Sequence, residues 1–236
     1  MDERTLRSRM LLGDAAAEKL WGSHVAVVGL GGVGSWCAEA LARSGLGQLT
    51  LIDEDRVNLS NVNRQLCALS STLGISKADA MAMRIRDINP DIRLNVIAGR
   101  YEAASRDSFL SDYDFVADAI DLVACKLDLI MSCRQREIPI ISALGTGNKR
   151  DAQQLRISDI SKTSGCALAR VVRKELRKLG VEHHPVVFSP EQPMEARQTE
   201  APPPGRRSVP GSLVWVPAAA GLLMCQYVVE QLTMEE

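Results

Sequence analysis

Residues 27–35 read Val-Val-Gly-Leu-Gly-Gly-Val-Gly-Ser, a glycine turn between an apolar run and a helical pattern. In such a turn Gly29 allows the tight bend, and Gly31, with Gly32 beside it, lets phosphate approach the backbone. Gly34 lets helix and strand pack closely, while the helix N-terminus offers unpaired N–H groups to an anion. Asp53 follows at second-strand distance, placed to accept hydrogen bonds from a ribose or to stay a solvated turn acid, as Glu54 and Asp55 can. The glycines and Asp53 alone would suit a nicotinamide dehydrogenase equally well. The next polar residues point elsewhere. Asn61, Arg64 and Gln65 put amides and a guanidinium beside the turn, and Lys77 opens the next helix with an ammonium. Asp121 ends a later strand in Ala117-Asp118-Ala-Ile-Asp121. A hydride donor needs a flat pocket for its ring, whereas two cations and a carboxylate suit a triphosphate and a magnesium ion. Asp121 ranks first as the metal ligand and Asp118 second.

These residues need strands and helices to position them. Residues 24–29, 48–52, 93–98, 113–118 and 139–142 are short apolar strands, with 155–157 a candidate sixth. Helical spacing covers 33–43, 76–88 and 122–136. Alternation of this kind predicts an α/β fold with a doubly wound, mainly parallel sheet and a nucleotide at the carboxyl ends of its strands. Past residue 150 come a basic helix near 166–179 and a strand at 185–188. A segment at 189–210, rich in proline and charge, is expected to be a mobile loop or crossover, and 213–232 to be a helix packed back on the sheet. The chain is therefore expected to be one domain, 1–236. It comprises an arm (1–22), a nucleotide-binding core (23–150) and a C-terminal extension (151–236).

Composition narrows the classes. With 46% apolar residues and a net charge of -1, this is an ordinary globular chain that does not bind nucleic acid by bulk charge. The six cysteines contain no C-x-x-C pair and read as reduced thiols. The charged N-terminus lacks a signal-peptide core, and the longest apolar run, 213–229, is short of the roughly 20 residues that span a bilayer. No membrane contact and a cytoplasmic location are expected.

The order G-x-G-G-x-G, D, N-x-x-R-Q, G-x-x-K, D-x-x-D over residues 25–145 resembles the ThiF-like adenylating superfamily, relatives of the ubiquitin-activating enzyme with a Rossmann-like nucleotide fold. That resemblance implies ATP and Mg2+ as cofactors. A substrate carboxylate would attack the α-phosphate, with Arg64, Lys77 and the metal neutralising the charge that grows there. It also implies a homodimer in which an arm arginine reaches the partner's ATP. Arg7, in Leu6-Arg7-Ser8, is the matching position and Arg9 the fallback. Activators of sulfur-carrier or ubiquitin-like proteins in this superfamily generally carry two zinc-binding C-x-x-C pairs, absent here, so a carrier-protein partner ranks second. Asn63-Arg-Gln65, Arg84-Ile-Arg-Asp-Ile-Asn-Pro90, Asp159-Ile-Ser-Lys162-Thr163 and the closing Val209-Pro-Gly-Ser-Leu-Val-Trp-Val-Pro217 resemble the tRNA threonylcarbamoyladenosine dehydratase branch. That branch implies a tRNA substrate. Its threonyl carboxylate would be adenylated, and its own carbamoyl nitrogen would close the ring and expel AMP.

The basic segment 162–178, with Lys162, Arg170, Arg173, Lys174, Arg177 and Lys178, would track the tRNA phosphates, or it is simply a solvated amphipathic helix. Lys149, Arg150, Arg206 and Arg207 would extend that surface. Cys166 heads the helix as a packing residue rather than a nucleophile. His183 and His184 lead into the strand without metal-binding spacing. All three tryptophans, at 21, 36 and 215, fall in expected core contexts, so no stacking group for the modified base is named.

Overall fold

The computed structural model describes residues 3–197 and 209–234. Strands β1 (His24–Val28), β2 (Gln48–Ile52), β3 (Arg93–Ile97), β4 (Phe115–Asp118), β5 (Ile140–Ala143), β6 (Arg156–Asp159) and β7 (Pro185–Phe188) form one sheet in the order β3-β2-β1-β4-β5-β7-β6. Every pairing is parallel except that of β6 with β7. The inner strands are covered on both faces, which is why they read as unbroken apolar runs rather than alternating ones. Parallel strands need long crossovers, supplied here by helices. Helices α1 (Leu6–Leu12) and α2 (Asp14–Gly22) form the arm. Then come α3 (Gly34–Arg43), α4 (Lys77–Ile88), α5 (Arg106–Phe109), α6 (Val123–Gln135), α7 (Ala167–Lys178) and α8 (Trp215–Thr233).

Two apolar layers sandwich the sheet. One joins α3, α4 and α8 through Cys37, Leu41, Met81, Ile85, Met224 and Val228. The other joins α5, α6 and α7 through Phe109, Leu129, Ile130, Val172 and Leu176. Each such fully buried side chain contributes about 1.5–3 kcal/mol. Gly221 lets α8 cross tightly over the start of α3, since a Cβ there would lie 2.4 Å from the Val33 carbonyl oxygen. The last helix is thereby fixed against the glycine turn.

The order in which the chain lays down its strands reverses between β1 and β4, because β2 and β3 lie to one side and β4 and β5 to the other. Ligands bind at such a switch point, beyond the strand carboxyl ends. Register brings those ends level, with Val28 opposite both Ile52 and Asp118. Gly29, Asp53 and Ala119 thus leave the sheet side by side. The expected strand 113–118 starts two residues later, because the Tyr113 N–H closes a turn on the Ser111 carbonyl at 2.8 Å. The Tyr113 hydroxyl donates to the Phe109 carbonyl, and Asp114 accepts the His24 N–H. Of the expected loop 189–210, residues 198–208 lie outside the described residues.

Candidate active site

A cleft of about 580 Å³ opens at the switch point. Gly29 bends its floor at φ 90°, and a Cβ there would meet the Ala119 carbonyl oxygen at 2.9 Å. Gly34 is tighter, since a Cβ would lie 1.7 Å from the Gly29 oxygen. Gly31 is open, its nearest neighbour being Gln65 Nε2 at 3.9 Å, so the place a methyl would take is the cleft itself. Gly32 and Val33 complete this wall at the N-terminus of α3.

Asp53 ties the second strand to the glycine turn. Its Oδ2 accepts the Leu30 N–H at 2.6 Å and its Oδ1 accepts the Asp55 N–H at 2.8 Å. Burial pushes its carboxyl above the ordinary carboxylate range, against the pull of Lys77 and the two backbone donors. Each oxygen has a lone pair left to accept a further bond, and the residue lines the cleft. Arg64 lines the same cleft. Its Nη1 donates to the Ser60 carbonyl at 3.0 Å and to Asn63 Oδ1 at 2.8 Å, both neutral oxygens, and burial draws its pKa down. A guanidinium held by neutral acceptors in a cleft is suited to an added anion. Trp36 Nε1 fixes the Arg64 backbone through its carbonyl at 3.2 Å, and Asn61 Oδ1 accepts the Asn58 N–H at 3.0 Å. Gln65, 7% exposed, fills the gap behind them.

Lys77 is 5% exposed and its Nζ donates to Asp55 Oδ2 at 2.7 Å. Asp55 is therefore the lysine's partner rather than a merely solvated acid, and a bound phosphate would share the ammonium with it. Asp118 and Asp121 have different fates. Asp118 is fully buried, paired with Lys126 Nζ at 2.6 Å, and accepts from Ser142 Oγ at 2.6 Å and the Ile120 N–H at 3.0 Å. Those partners leave it no room as a metal ligand, which corrects its second rank. Asp121, exposed, lines the cleft on the turn that the Asp118–Ile120 bond fixes.

The ThiF family model matches residues 4–236. The chain belongs to the ThiF family. It is 43% identical over 237 residues to the tRNA threonylcarbamoyladenosine dehydratase of Bacillus subtilis, covering 96% of this chain and 93% of that one. It also superposes on the E. coli tRNA N6-threonylcarbamoyladenosine dehydratase solved with AMP, at a TM-score of 0.89 and 35% identity over 98% of this chain and 94% of that one. The same E. coli enzyme solved with ATP gives a TM-score of 0.88, with 98% and 93% covered.

Other walls of this ThiF-family cleft carry no signature in the motifs. The turn after β5, Ala143 to Gly147, lines it, as do Arg100, Tyr101, Cys125 and the strap Pro210-Gly211-Ser212. Gly145-Thr-Gly147, directly after an apolar run, was the available signal. Asn148, at φ 59°, stitches the strap down: its N–H donates to the Gly211 carbonyl, and its Oδ1 accepts the Gly211 N–H, both at 2.7 Å. Asn63 Nδ2 holds the Ser212 carbonyl at 3.1 Å. Lys149 is no surface cation. It is buried, donates to the Ser189 and Glu191 carbonyls at 2.8 Å, and burial lowers its pKa.

Helix α7 buries Ala169, Val172 and Leu176 and exposes Arg170, Lys174 and Arg177 as one stripe. Arg173 instead turns to the Thr163 carbonyl at 2.8 Å, and Lys178 pairs with Glu175 at 2.9 Å, so the basic surface is narrower than the sequence suggests. Leu168, in the first turn, lines the cleft. Cys166 is the N-cap, its Sγ accepting the Ala169 N–H at 3.4 Å. Arg206 and Arg207 lie outside the described residues. Arg7 is exposed on α1 and does not line its own chain's cleft, while Arg9 is paired with Asp14 at 2.6 Å. His184 is buried against Ser142, and His183 Nδ1 stands 3.4 Å from Asp159. Contrary to expectation, Trp21 and Trp215 are each 49% exposed.

Proposed function

We propose that this chain is an ATP-dependent dehydratase. It adenylates the threonyl carboxylate of threonylcarbamoyladenosine in tRNA and cyclises that base, releasing AMP and pyrophosphate. What carries the reading is one cleft at the switch point holding the open Gly31 cradle, Asp53, Asn61, Arg64, Gln65, Lys77 and Asp121, in a chain aligned almost end to end with a dehydratase.

In this reading Gly29, Gly31, Gly32 and Gly34 shape the phosphate cradle, and Asp53 takes the ribose. Asn61 and Gln65 orient the phosphates, while Arg64 and Lys77 stabilise charge growing on the α-phosphate and the departing pyrophosphate. Loss of one such preorganised donor costs about 10²–10³ in rate. Among the described residues no three His, Cys, Asp or Glu side chains cluster tightly enough to hold a metal by themselves. That suits magnesium bound chiefly by triphosphate and water with one carboxylate, Asp121. When bound, it would offset the charge that grows on phosphate oxygen. The substrate carboxylate is ionised at neutral pH and needs no general base. Its carbamoyl nitrogen lies within the same nucleotide, so positioning supplies much of the ring closure.

Arg170, Lys174 and Arg177 would hold tRNA phosphates leading away from the cleft, beginning where Leu168 meets it. The exposed Arg7 fits a homodimer in which the arm serves the partner's ATP. Among the described residues no helix is long and apolar enough to cross a membrane, compatible with a cytoplasmic enzyme. The test is AMP formation from ATP with tRNA bearing threonylcarbamoyladenosine against unmodified tRNA, with mass analysis of the nucleoside. Modified-tRNA-dependent AMP and loss of one water are expected, and both should vanish in Asp121→Ala. No stimulation by modified tRNA would refute the reading and direct the search to carrier-protein carboxylates.

A further inference from the structure

We infer that Trp215 is a stacking platform for an unpaired base of the RNA substrate, flanking the nucleotide whose carboxylate enters the cleft. The inference rests on the tRNA reading above. Proteins that read RNA loops splay bases onto exposed aromatic faces. This chain has three tryptophans, three tyrosines and three phenylalanines to offer. All three phenylalanines, with Tyr101 and Tyr113, are buried. Trp36 is tied to the Arg64 carbonyl, and Tyr227 packs edge-on against Phe115. Trp21 and Trp215 remain, both half-exposed. Trp21 lies at a separate hollow between the arm and Gly45, lined by Thr5, Arg9 and Leu12.

Trp215 stands at the cleft's rim. Ser212 before it and Pro217 after it both line the cleft, and Pro217 packs against the glycine turn, its Cβ 3.2 Å from where a Gly32 Cβ would lie. The indole Nε1–H donates to the Arg150 carbonyl at 2.7 Å. That bond satisfies the polar edge and fixes the ring, so little freedom is lost when a base settles on its face. Arg150, whose carbonyl takes that bond, is itself exposed, a cation in the same segment for the nucleotide's phosphate. Leu213 and Val214, 38% and 40% exposed, continue the apolar rim. A fixed indole, an exposed arginine in the segment that holds it and a cleft that takes the neighbouring nucleotide together favour a base over an apolar partner.

The test compares full-length wild type with Trp215→Phe, Trp215→Leu and Trp215→Ala, after melting curves and ATP affinity establish an intact fold and nucleotide site. Stacking on a protein aromatic is worth about 1–3 kcal/mol per base, so Ala should raise the KM for modified tRNA about 5- to 150-fold. The kcat and the KM for ATP should not move. Leu should behave as Ala and Phe as wild type, which separates stacking from apolar bulk. Titration with an anticodon stem-loop should quench tryptophan fluorescence in wild type, and Trp215→Phe should lose that quenching. Wild-type turnover with an unaltered tRNA KM in Trp215→Ala would overturn the inference while leaving the dehydratase standing. So would a change in sedimentation of Trp215→Ala, which would place the indole on a subunit interface. Absence of wild-type turnover on modified tRNA would remove both.

Discussion

Acid should weaken this fold through His184 in a way that its neighbours dictate. The ring is 1% exposed, and its Nε2 lies 2.8 Å from Ser142 Oγ. That hydroxyl donates to the Asp118 carboxylate at 2.6 Å, so its proton is spent, and Nε2 must carry its own and donate to Oγ. A second proton could enter only at Nδ1. Burial, with Lys126 and Arg134 nearby, pushes the His184 pKa down to about 3 despite Asp159. In the unfolded chain it titrates near 6.5. The folded value is the lower one, so below about pH 6.5 the unfolded state takes up a proton that the native state refuses, and stability falls with pH until both forms are protonated near 3. At pH 5 the loss from this one group is about 2 kcal/mol, and about 5 kcal/mol is the limit at still lower pH. Urea unfolding at pH 7.5, 6.5, 5.5 and 5.0 should show wild type losing about 2 kcal/mol more than His184→Gln across that range, because Gln keeps an N–H for Ser142 but cannot titrate. Parallel curves for the two proteins would refute the reasoning.

Gly31 and Gly34 should separate binding from folding. Gly34→Ala drives a methyl into the Gly29 carbonyl and should cost more than about 3 kcal/mol, seen as insoluble or unfolded protein. Gly31→Ala should melt normally yet lose about tenfold or more in ATP affinity by calorimetry, because its methyl enters the phosphate cradle. Joint replacement of Arg170, Lys174 and Arg177 by alanine should leave ATP affinity intact and reduce the salt slope of tRNA binding by about 2 to 3, and an unchanged slope would exclude α7 from the RNA path. If the chain dimerises with its arm crossing to the partner's cleft, mixed dimers of Arg7→Ala with Lys77→Ala subunits should regain activity that neither variant has alone, since one composite site then carries both wild-type residues. Failure of rescue in verified mixed dimers would mean that the arm serves its own cleft.

Much of this architecture is legible because parallel strands are buried on both faces. Runs such as Val25 to Val28 and Phe115 to Ala117 admit no polar face, and the glycine turn marks where the first of them stops. The strap is different. Its hold depends on Asn148 in a left-handed conformation trading hydrogen bonds with Gly211, sixty-three residues away, and no local pattern encodes that pairing. Lys149 and Trp215 defy their residue types for a related reason. A charge signals surface and an indole signals core only on average. Lys149 finds two carbonyls inside, and Trp215 sits on a helix that starts at an open rim.

The two acids of Asp118-Ala-Ile-Asp121 show where spacing stops deciding. Either could serve a metal by residue type, and the sequence does no more than rank Asp121 ahead of Asp118. Register separates them, because Asp118 is the last paired residue of β4, level with Val28 on one side and Ser142 on the other, and its carboxylate meets Lys126 from α6 eight residues on. A carboxylate enclosed in this way has the Lys126 ammonium as its partner inside the fold, and removing that partner alone should cost about 3–5 kcal/mol. Three residues later the strand has ended and the chain lies along the cleft, so Asp121 is exposed and lines it. The buried acid also holds the Ile120 N–H and so sets the turn on which the exposed one sits. One aspartate is therefore the scaffold for the other, a division of labour that depends on where β4 stops rather than on the motif's letters.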